Sequence, residues 1–204
     1  MKGRVVSRGE TPASAGNAAN IITVVRILFA PVFIYLLLAD AHEDTYLRYI
    51  AAGLFILAIL TDFVDGLLAR RRNLVTDTGK LLDPIADKIL IGGALVSLSI
   101  LGELPWWITI VILVRELGIT AHRLSIARHH VIPASWFGKI KTVVQAVAIS
   151  LALVPFPALL GPWVNGVNTV FMSVALVLTL ISGIEYIWQV IRAGRVSRTG
   201  AAAA

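Results

Sequence analysis

Long apolar runs, each bounded by polar or turn-forming residues, dominate the pattern along the chain. Six such runs are found, at 21–39, 49–69, 81–101, 105–122, 140–160 and 167–190. A bilayer core about 30 Å thick needs about 20 mostly apolar helical residues, so each run is long enough for one crossing. The pattern therefore predicts an all-α, polytopic membrane protein with six transmembrane helices.

The placement of basic residues predicts the orientation of these helices. The N-terminus, the segments 70–80 and 123–141, and the residues after 190 together hold 14 of the 18 lysines and arginines. The segments between them hold Arg48, accompanied by Asp40, Glu43, Asp44 and Glu103. Cytoplasmic loops of membrane proteins carry an excess of Lys and Arg. We therefore expect a multi-pass protein of the cell membrane with both termini in the cytoplasm.

Composition supports the membrane interpretation. Hydrophobic residues make up 57% of the 204 residues and charged residues 15%, against about 45–50% and about 25% in soluble domains. The net charge of +6 would suggest nucleic-acid binding in a polar chain, but here the expected partner is the lipid bilayer and not a nucleic acid. The absence of cysteine excludes disulfides and thiolate metal sites. We expect a polar lead-in over 1–19, one six-helix domain over 20–192 and a basic, low-complexity tail over 193–204.

Four carboxylates lie near the cytoplasmic ends of the second and third predicted helices, namely Asp62, Asp65, Asp83 and Asp87. Helical spacing places each pair on one face, and the short 70–80 segment makes the two helices antiparallel neighbours. Carboxylates inside a span are costly and need compensation. It could come from salt bridges to Arg70, Lys80 and Lys88, or from divalent cations. A site of carboxylate oxygens alone favours Mg²⁺ or Mn²⁺ over Zn²⁺.

The aspartates belong to a longer string, Asp62-x2-Asp65-Gly66-x2-Ala69-Arg70-x8-Gly79-x3-Asp83-x3-Asp87. At every fixed position it resembles the signature of the CDP-alcohol phosphotransferase family of membrane enzymes. The segments 20–26, 115–117 and 138–142 resemble the branch that makes phosphatidylglycerol phosphate. The resemblance implies a transferase of phospholipid biosynthesis, which moves a phosphatidyl group from CDP-diacylglycerol to the 1-hydroxyl of sn-glycerol 3-phosphate and releases CMP.

The resemblance also implies roles for individual residues. Two metal ions would occupy the site: Asp62 and Asp83 would bridge both, Asp65 would complete one, and Asp87 would bind the other and act as general base. Contacts to CDP-diacylglycerol are implied for Asn20, Thr23, Gly66, Arg70 and Thr76. Asn20 is equally open to interpretation as the N-cap of the first helix. The family resemblance further implies a homodimer.

Glycerol 3-phosphate would bring a dianion to the cytosolic mouth of the site. Candidate ligands for its phosphate are the basic residues Arg115, Arg123, Lys139 and Lys141. Each of them is also open to interpretation as a solvated positive-inside charge. Arg115 lies several residues inside a predicted span, and neighbouring residues on a helix point in different directions. We therefore expect Arg115 to find a partner other than Glu116.

Three alternatives remain open at this stage. Within the same family the acceptor could be phosphatidylglycerol, as in cardiolipin synthesis, or inositol phosphate or serine. An ion-coupled transporter could use the acidic cluster as its transit site, but the outer halves of the second and third spans carry no charged residue. A catalytically silent scaffold would have no use for the intact eight-residue string.

Overall fold

The protein is all-helical in the parts that the computed structural model describes, which are residues 13–39, 46–72, 77–126 and 136–201. Within these ranges there are six long helices, one five-residue helix and no strand. They are α1 (Ala13–Ala39), α2 (Tyr46–Arg72), α3 (Asp77–Ile100), α4 (Trp106–Ile126), α5 (Trp136–Leu153), α6 (Phe156–Leu160) and α7 (Trp163–Ala201). Each predicted apolar run overlaps one long helix, so the all-α prediction is confirmed.

The helices carry the apolar surface of a membrane protein. Among the described residues, three segments are long and apolar enough to cross a bilayer: Tyr46–Val64, Trp136–Leu153 and Trp163–Arg192. A shorter apolar stretch, Thr23–Ala39, lies on α1. Large apolar side chains point outward along several helices; Leu28 on α1 is 60% exposed and Val114 on α4 is 66% exposed. Lipid can cover such a surface without leaving polar groups unpaired, because the backbone hydrogen bonds are made within each helix.

The core lies where α1 packs against both α2 and α3, and where α5 packs against α7. Phe33 and Phe55 join α1 to α2 with ring centroids 5.6 Å apart. At Gly93 on α3, an added Cβ would lie 2.5 Å from Cδ1 of Ile34, so a larger residue here would require the Ile34 side chain on α1 to move. In the described part of the chain, α2 and α3 each pack more extensively on α1 than on one another. Residues 65–84, where the ends of α2 and α3 are predicted to meet, have no described side chains, so the direct pairing of these two helices stays a prediction.

The predicted span over 140–160 has different bounds in the structure: the apolar helix α5 ends at Leu153, and the separate helix α6 begins at Phe156. Pro155 lies between them, and proline has no backbone N–H to continue the helical hydrogen bonds. The end of α5 leaves carbonyl oxygens without helical partners. Two of these oxygens accept hydrogen bonds from Arg48: that of Leu153 from Nε at 3.1 Å and that of Ala152 from Nη2 at 3.2 Å.

The start of α1 also differs from expectation. The helix begins at Ala13, seven residues before Asn20, so Asn20 lies inside the helix and is not its N-cap. At the other end of the chain, α7 continues to Ala201. The first and last helices are therefore longer than the apolar runs that predicted them, because helical hydrogen bonding does not require apolar side chains.

A glycine turn joins α3 to α4 and fixes the position of Glu103. Gly102 has φ +76°, and the N–H of Glu103 donates to the carbonyl of Leu98 at 2.9 Å, as in a Schellman motif. Both carboxylate oxygens of Glu103 accept from the guanidinium of Arg48, each at 2.5 Å. The Arg48–Glu103 pair thus ties α2 to the α3–α4 turn and to the end of α5.

Candidate active site

Asp62, the first aspartate of the string, is paired with an arginine of α1. Its Oδ1 lies 2.5 Å from Nη1 of Arg26, and the Arg26 side chain is 4% exposed whereas that of Asp62 is 46% exposed. Thr23, one turn before Arg26 on α1, is also buried. Sequence reasoning did not assign Arg26 to the site. The available signal was a lone cation inside the first apolar run, which needs a partner.

Several predicted site residues cannot be compared with the structure at the level of side chains. Asp65, Gly66 and Arg70 lie on α2, Asp83 lies on α3 and Asn20 lies on α1. Their side chains, and the whole of Thr76, fall outside the described part of the chain. Two of the four aspartates, Asp62 and Asp87, therefore have described side chains, and the described residues alone contain no group of three metal ligands.

Asp87 begins a chain of charged contacts that runs from α3 to α4. Nζ of Lys88 lies 3.0 Å from Oδ2 of Asp87 and 2.5 Å from Oε2 of Glu116. Lys88 was one of three cations predicted to offset the aspartates, and it contacts Asp87. The Asp87 side chain is 32% exposed, so a ligand can still reach it.

Glu116 on α4 is the centre of this network. Besides Lys88, its carboxylate binds Nζ of Lys141 from α5 and Nη1 of Arg115, the latter at 2.9 Å. Arg115 also donates from Nη2 to Oγ of Ser182 on α7 at 2.8 Å. Glu116 and Lys141 are buried, with side chains 5% and 3% exposed. Three helices, α3, α4 and α5, thus place cations around one carboxylate, and α7 adds a hydroxyl.

The expectation that Arg115 would not pair with Glu116 is wrong. Adjacent side chains leave a helix in different directions, but the arginine stem is long enough to fold back toward its neighbour. Because the hydroxyl of Ser182 receives the other end of the guanidinium, the side chain is held at both ends. The expectation of a second partner elsewhere in the fold is therefore correct, whereas the exclusion of Glu116 is not.

A cavity of about 420 Å³ opens beside this network. The four residues predicted to bind the acceptor phosphate, Arg115, Arg123, Lys139 and Lys141, all line it, together with Lys88 and Glu116. Four positions on two helices are thus brought to one place, although their role in binding stays a prediction. Five cations and one carboxylate give the described lining a positive balance, which suits an anionic ligand.

Arg123 and Tyr186 form the wall of the cavity nearest α7. The guanidinium of Arg123 lies over the Tyr186 ring, 5.1 Å from its centroid, in a favourable cation–π arrangement. The Tyr186 hydroxyl is 2.7 Å from Nδ1 of His122. These contacts hold Arg123 toward the cavity without using a carboxylate, so its charge is not offset by a neighbouring acid in the described contacts.

Comparison with known proteins identifies the family of the chain. The profile of the CDP-alcohol phosphatidyltransferase family matches residues 16–181, a stretch that includes the aspartate string and the five basic residues that line the cavity. The chain is 47% identical over 180 residues to "Probable phosphatidylglycerophosphate synthase" of Mycobacterium tuberculosis (strain ATCC 25618 / H37Rv), covering 88% of this chain and 84% of the relative.

Two further relatives bear a more explicit name, CDP-diacylglycerol--glycerol-3-phosphate 3-phosphatidyltransferase. The protein from Bacillus subtilis (strain 168) is 38% identical over 192 residues, which cover 86% of this chain and 97% of the relative. The protein from Shigella flexneri serotype 5b (strain 8401) is 34% identical over 177 residues, covering 84% and 93%. With the family profile matching most of its length, the chain belongs to the CDP-alcohol phosphatidyltransferase family.

Proposed function

We propose that the protein transfers a phosphatidyl group from CDP-diacylglycerol to sn-glycerol 3-phosphate, giving phosphatidylglycerol phosphate and CMP. The observation that supports a phosphorylated acceptor is the cationic cavity joined to Asp87 through Lys88 and Glu116. A phosphorylated alcohol could place its phosphate among these cations and its free hydroxyl near Asp87. The names of the relatives point to the same acceptor.

The metal site proposed for this reaction is formed by Asp62, Asp65, Asp83 and Asp87. Carboxylate oxygens suit Mg²⁺ or Mn²⁺, and the partial exposure of the Asp62 and Asp87 side chains leaves oxygens accessible to an ion. We propose two ions per site. When bound, they would neutralise the pyrophosphate of CDP-diacylglycerol and so make its cleavage easier.

The residues of the chain would then act as follows. Asn20, Thr23, Gly66, Arg70 and Thr76 would hold the cytidine diphosphate part of the donor. Asp87 would take the proton of the 1-hydroxyl of glycerol 3-phosphate as this oxygen attacks the phosphorus that carries diacylglycerol. The new P–O bond forms as the bond to the bridging oxygen breaks, and CMP leaves with that oxygen. The proton on Asp87 passes to solvent before the next turnover.

The proposed topology has six membrane crossings, both termini in the cytoplasm and the aspartates at the cytoplasmic face. It is supported by the six long helices and by the positive balance of the segments on that side. Because the chain lacks cysteine, single cysteines placed at Asn165 and at Ser197 can be labelled with a membrane-impermeant maleimide in intact cells. We expect Cys at 165 to react and Cys at 197 to be protected until the membrane is opened.

A transferase assay tests the proposed reaction directly. Purified protein in detergent with CDP-diacylglycerol and Mg²⁺ should release CMP when glycerol 3-phosphate is added, and EDTA should stop the release until Mg²⁺ or Mn²⁺ is restored. Phosphatidylglycerol, inositol phosphate and serine serve as competing acceptors. Release of CMP with one of these and not with glycerol 3-phosphate would overturn the proposed acceptor. A homodimer, also part of the proposal, is checked by the mass of the purified complex.

A further inference from the structure

One carboxylate in the described structure binds three cations at once. Glu116 accepts from Lys88, Arg115 and Lys141, which come from α3, α4 and α5. Each of the three borders the cavity of about 420 Å³. Like charges so close together repel one another unless an anion lies between them. The positions of these cations therefore depend on the charge of Glu116.

The network also reaches the proposed general base. Lys88 uses the same ammonium group to contact Glu116 at 2.5 Å and Asp87 at 3.0 Å. Arg115 is anchored at its far side by Ser182, whereas the buried ammonium of Lys141 has Glu116 as its carboxylate partner. Removal of the Glu116 charge would therefore disturb Lys141 most, because Lys88 keeps its contact with Asp87 and Arg115 keeps its contact with Ser182.

We infer that Glu116 is a positioning residue for the acceptor: it holds Lys141, Arg115 and Lys88 in place to receive the phosphate of the acceptor and sets its distance from Asp87. Glu116 does not itself touch the acceptor, because an anion there would repel a phosphate. With five cations against one carboxylate in the described lining, the cavity keeps enough positive charge to bind a dianion after Glu116 is satisfied. This inference rests on the proposed function of the site.

The test compares Michaelis constants for the two substrates. Glu116→Gln keeps the shape of the side chain but removes its charge. The KM for glycerol 3-phosphate should then rise about tenfold or more, since the phosphate loses charge-assisted hydrogen bonds from displaced cations. The KM for CDP-diacylglycerol should stay within about twofold. Glu116→Asp, which keeps the charge on a shorter stem, should give an intermediate KM for the acceptor. An unchanged or lower acceptor KM in Glu116→Gln would overturn the inference.

Glu103→Gln provides the matched control, since Glu103 also binds an arginine but lies in the α3–α4 turn. It should lower the unfolding temperature while leaving both KM values within about twofold. If Glu116→Gln cannot be purified in folded form, Glu116→Asp carries the test by the same KM split. A Glu116 variant that lowers the unfolding temperature without a selective change in acceptor KM would show a purely structural role and contradict the inference.

A double-mutant cycle asks whether Glu116 acts through Lys141. Lys141→Met alone should raise the acceptor KM, and addition of Glu116→Gln should then raise it by a smaller factor than in the wild-type background, because the contact between Glu116 and Lys141 is already lost. Fully additive effects would contradict the proposed coupling. Wild-type protein is the reference for both proposals: if it releases no CMP with glycerol 3-phosphate, the proposed function fails, whereas active wild type with a normal Glu116→Gln acceptor KM refutes the positioning role alone.

Discussion

Glu103 and Glu116 are both carboxylates that bind cations in or beside the helical bundle, but the number of cations that they bind differs. Glu103 binds Arg48 through both oxygens, and Arg48 also donates to the carbonyls of Ala152 and Leu153. Glu116 binds three cations, beside a cavity with further positive charge. In its described contacts, the first network pairs one cation with one carboxylate and joins structural elements. The second keeps a surplus of positive charge that a substrate anion can use.

The cavities beside the two networks show the same difference. The space next to Arg48 and Glu103, about 500 Å³, is lined by amide, hydroxyl, proline and apolar side chains besides the ion pair. The space next to Glu116 is lined by five cations in its described part. An ion pair alone is therefore weak evidence for function, and the excess of one charge is the more informative feature.

The largest effect on activity should come from substitution of Asp87, the carboxylate that Lys88 connects to Glu116. In Asp87→Asn, the amide that replaces the carboxylate cannot act as a general base, so we expect kcat to fall by about 10²- to 10⁴-fold. The release of CMP by purified protein is the measurement. Glu103→Gln is the control and should keep kcat close to that of the wild type. Near-normal turnover by a folded Asp87→Asn protein would remove Asp87 from the base role.

Next in size should be the loss of one cation from the Glu116 network. Arg115→Met keeps the apolar stem but cannot bind a phosphate, and we expect the KM for glycerol 3-phosphate to rise about 10- to 100-fold. Arg48→Met removes an arginine of the other network and should leave this KM unchanged. The contrast fails if both substitutions raise the acceptor KM equally, or if neither does.

The Arg48–Glu103 pair should affect stability more than activity. Arg48→Met leaves the carboxylate and the end of α5 without their donor, and should reduce the free energy of unfolding by about 1–3 kcal/mol. Thermal unfolding in detergent measures this loss. Activity per folded molecule should stay constant, and a selective loss of turnover would show that the pair also serves the reaction.

Gln145, on the same helix as Lys141, is a buried polar residue outside both networks, and its substitution should have the smallest effect. It is buried, and neither atom of its amide group has a hydrogen-bond partner in the described structure. Gln145→Met keeps the length of the side chain and removes an unsatisfied polar group, so we expect stability to rise by about 1 kcal/mol. A higher unfolding temperature with unchanged KM values is the expected result. A loss of stability would contradict this expectation.

Much of this architecture could be predicted from local pattern. Apolar runs located the six long helices, because burial in lipid or protein selects such runs wherever they occur. The aspartate string pointed to the family through residue types at fixed spacing. Pattern failed at Leu153, where a run of apolar residues continues but Pro155 ends the helix. It failed again at Asn20, since the helix starts earlier than its apolar part.

The partners of the charged residues were harder to predict. Arg26 and Asp62 lie on different helices, and so do Glu116 and its partners Lys88 and Lys141. Sequence pattern showed that each of these charges needs compensation but not which distant residue provides it. Arg115 and Glu116 are adjacent and form an ion pair. The directions in which neighbouring side chains leave a helix had predicted that they would not.

The sequence by itself thus determined the all-α architecture, the aspartate string and the set of cations available to bind an anion, because these depend on composition and on spacing along the chain. Tertiary structure decided which cations share one carboxylate and which face the cavity. It also decided that Glu103 links structural elements through Arg48, while Glu116 binds cations from three helices. The physical reason is that electrostatic balance is set by distances across the bundle, and those distances exist only after the helices have packed.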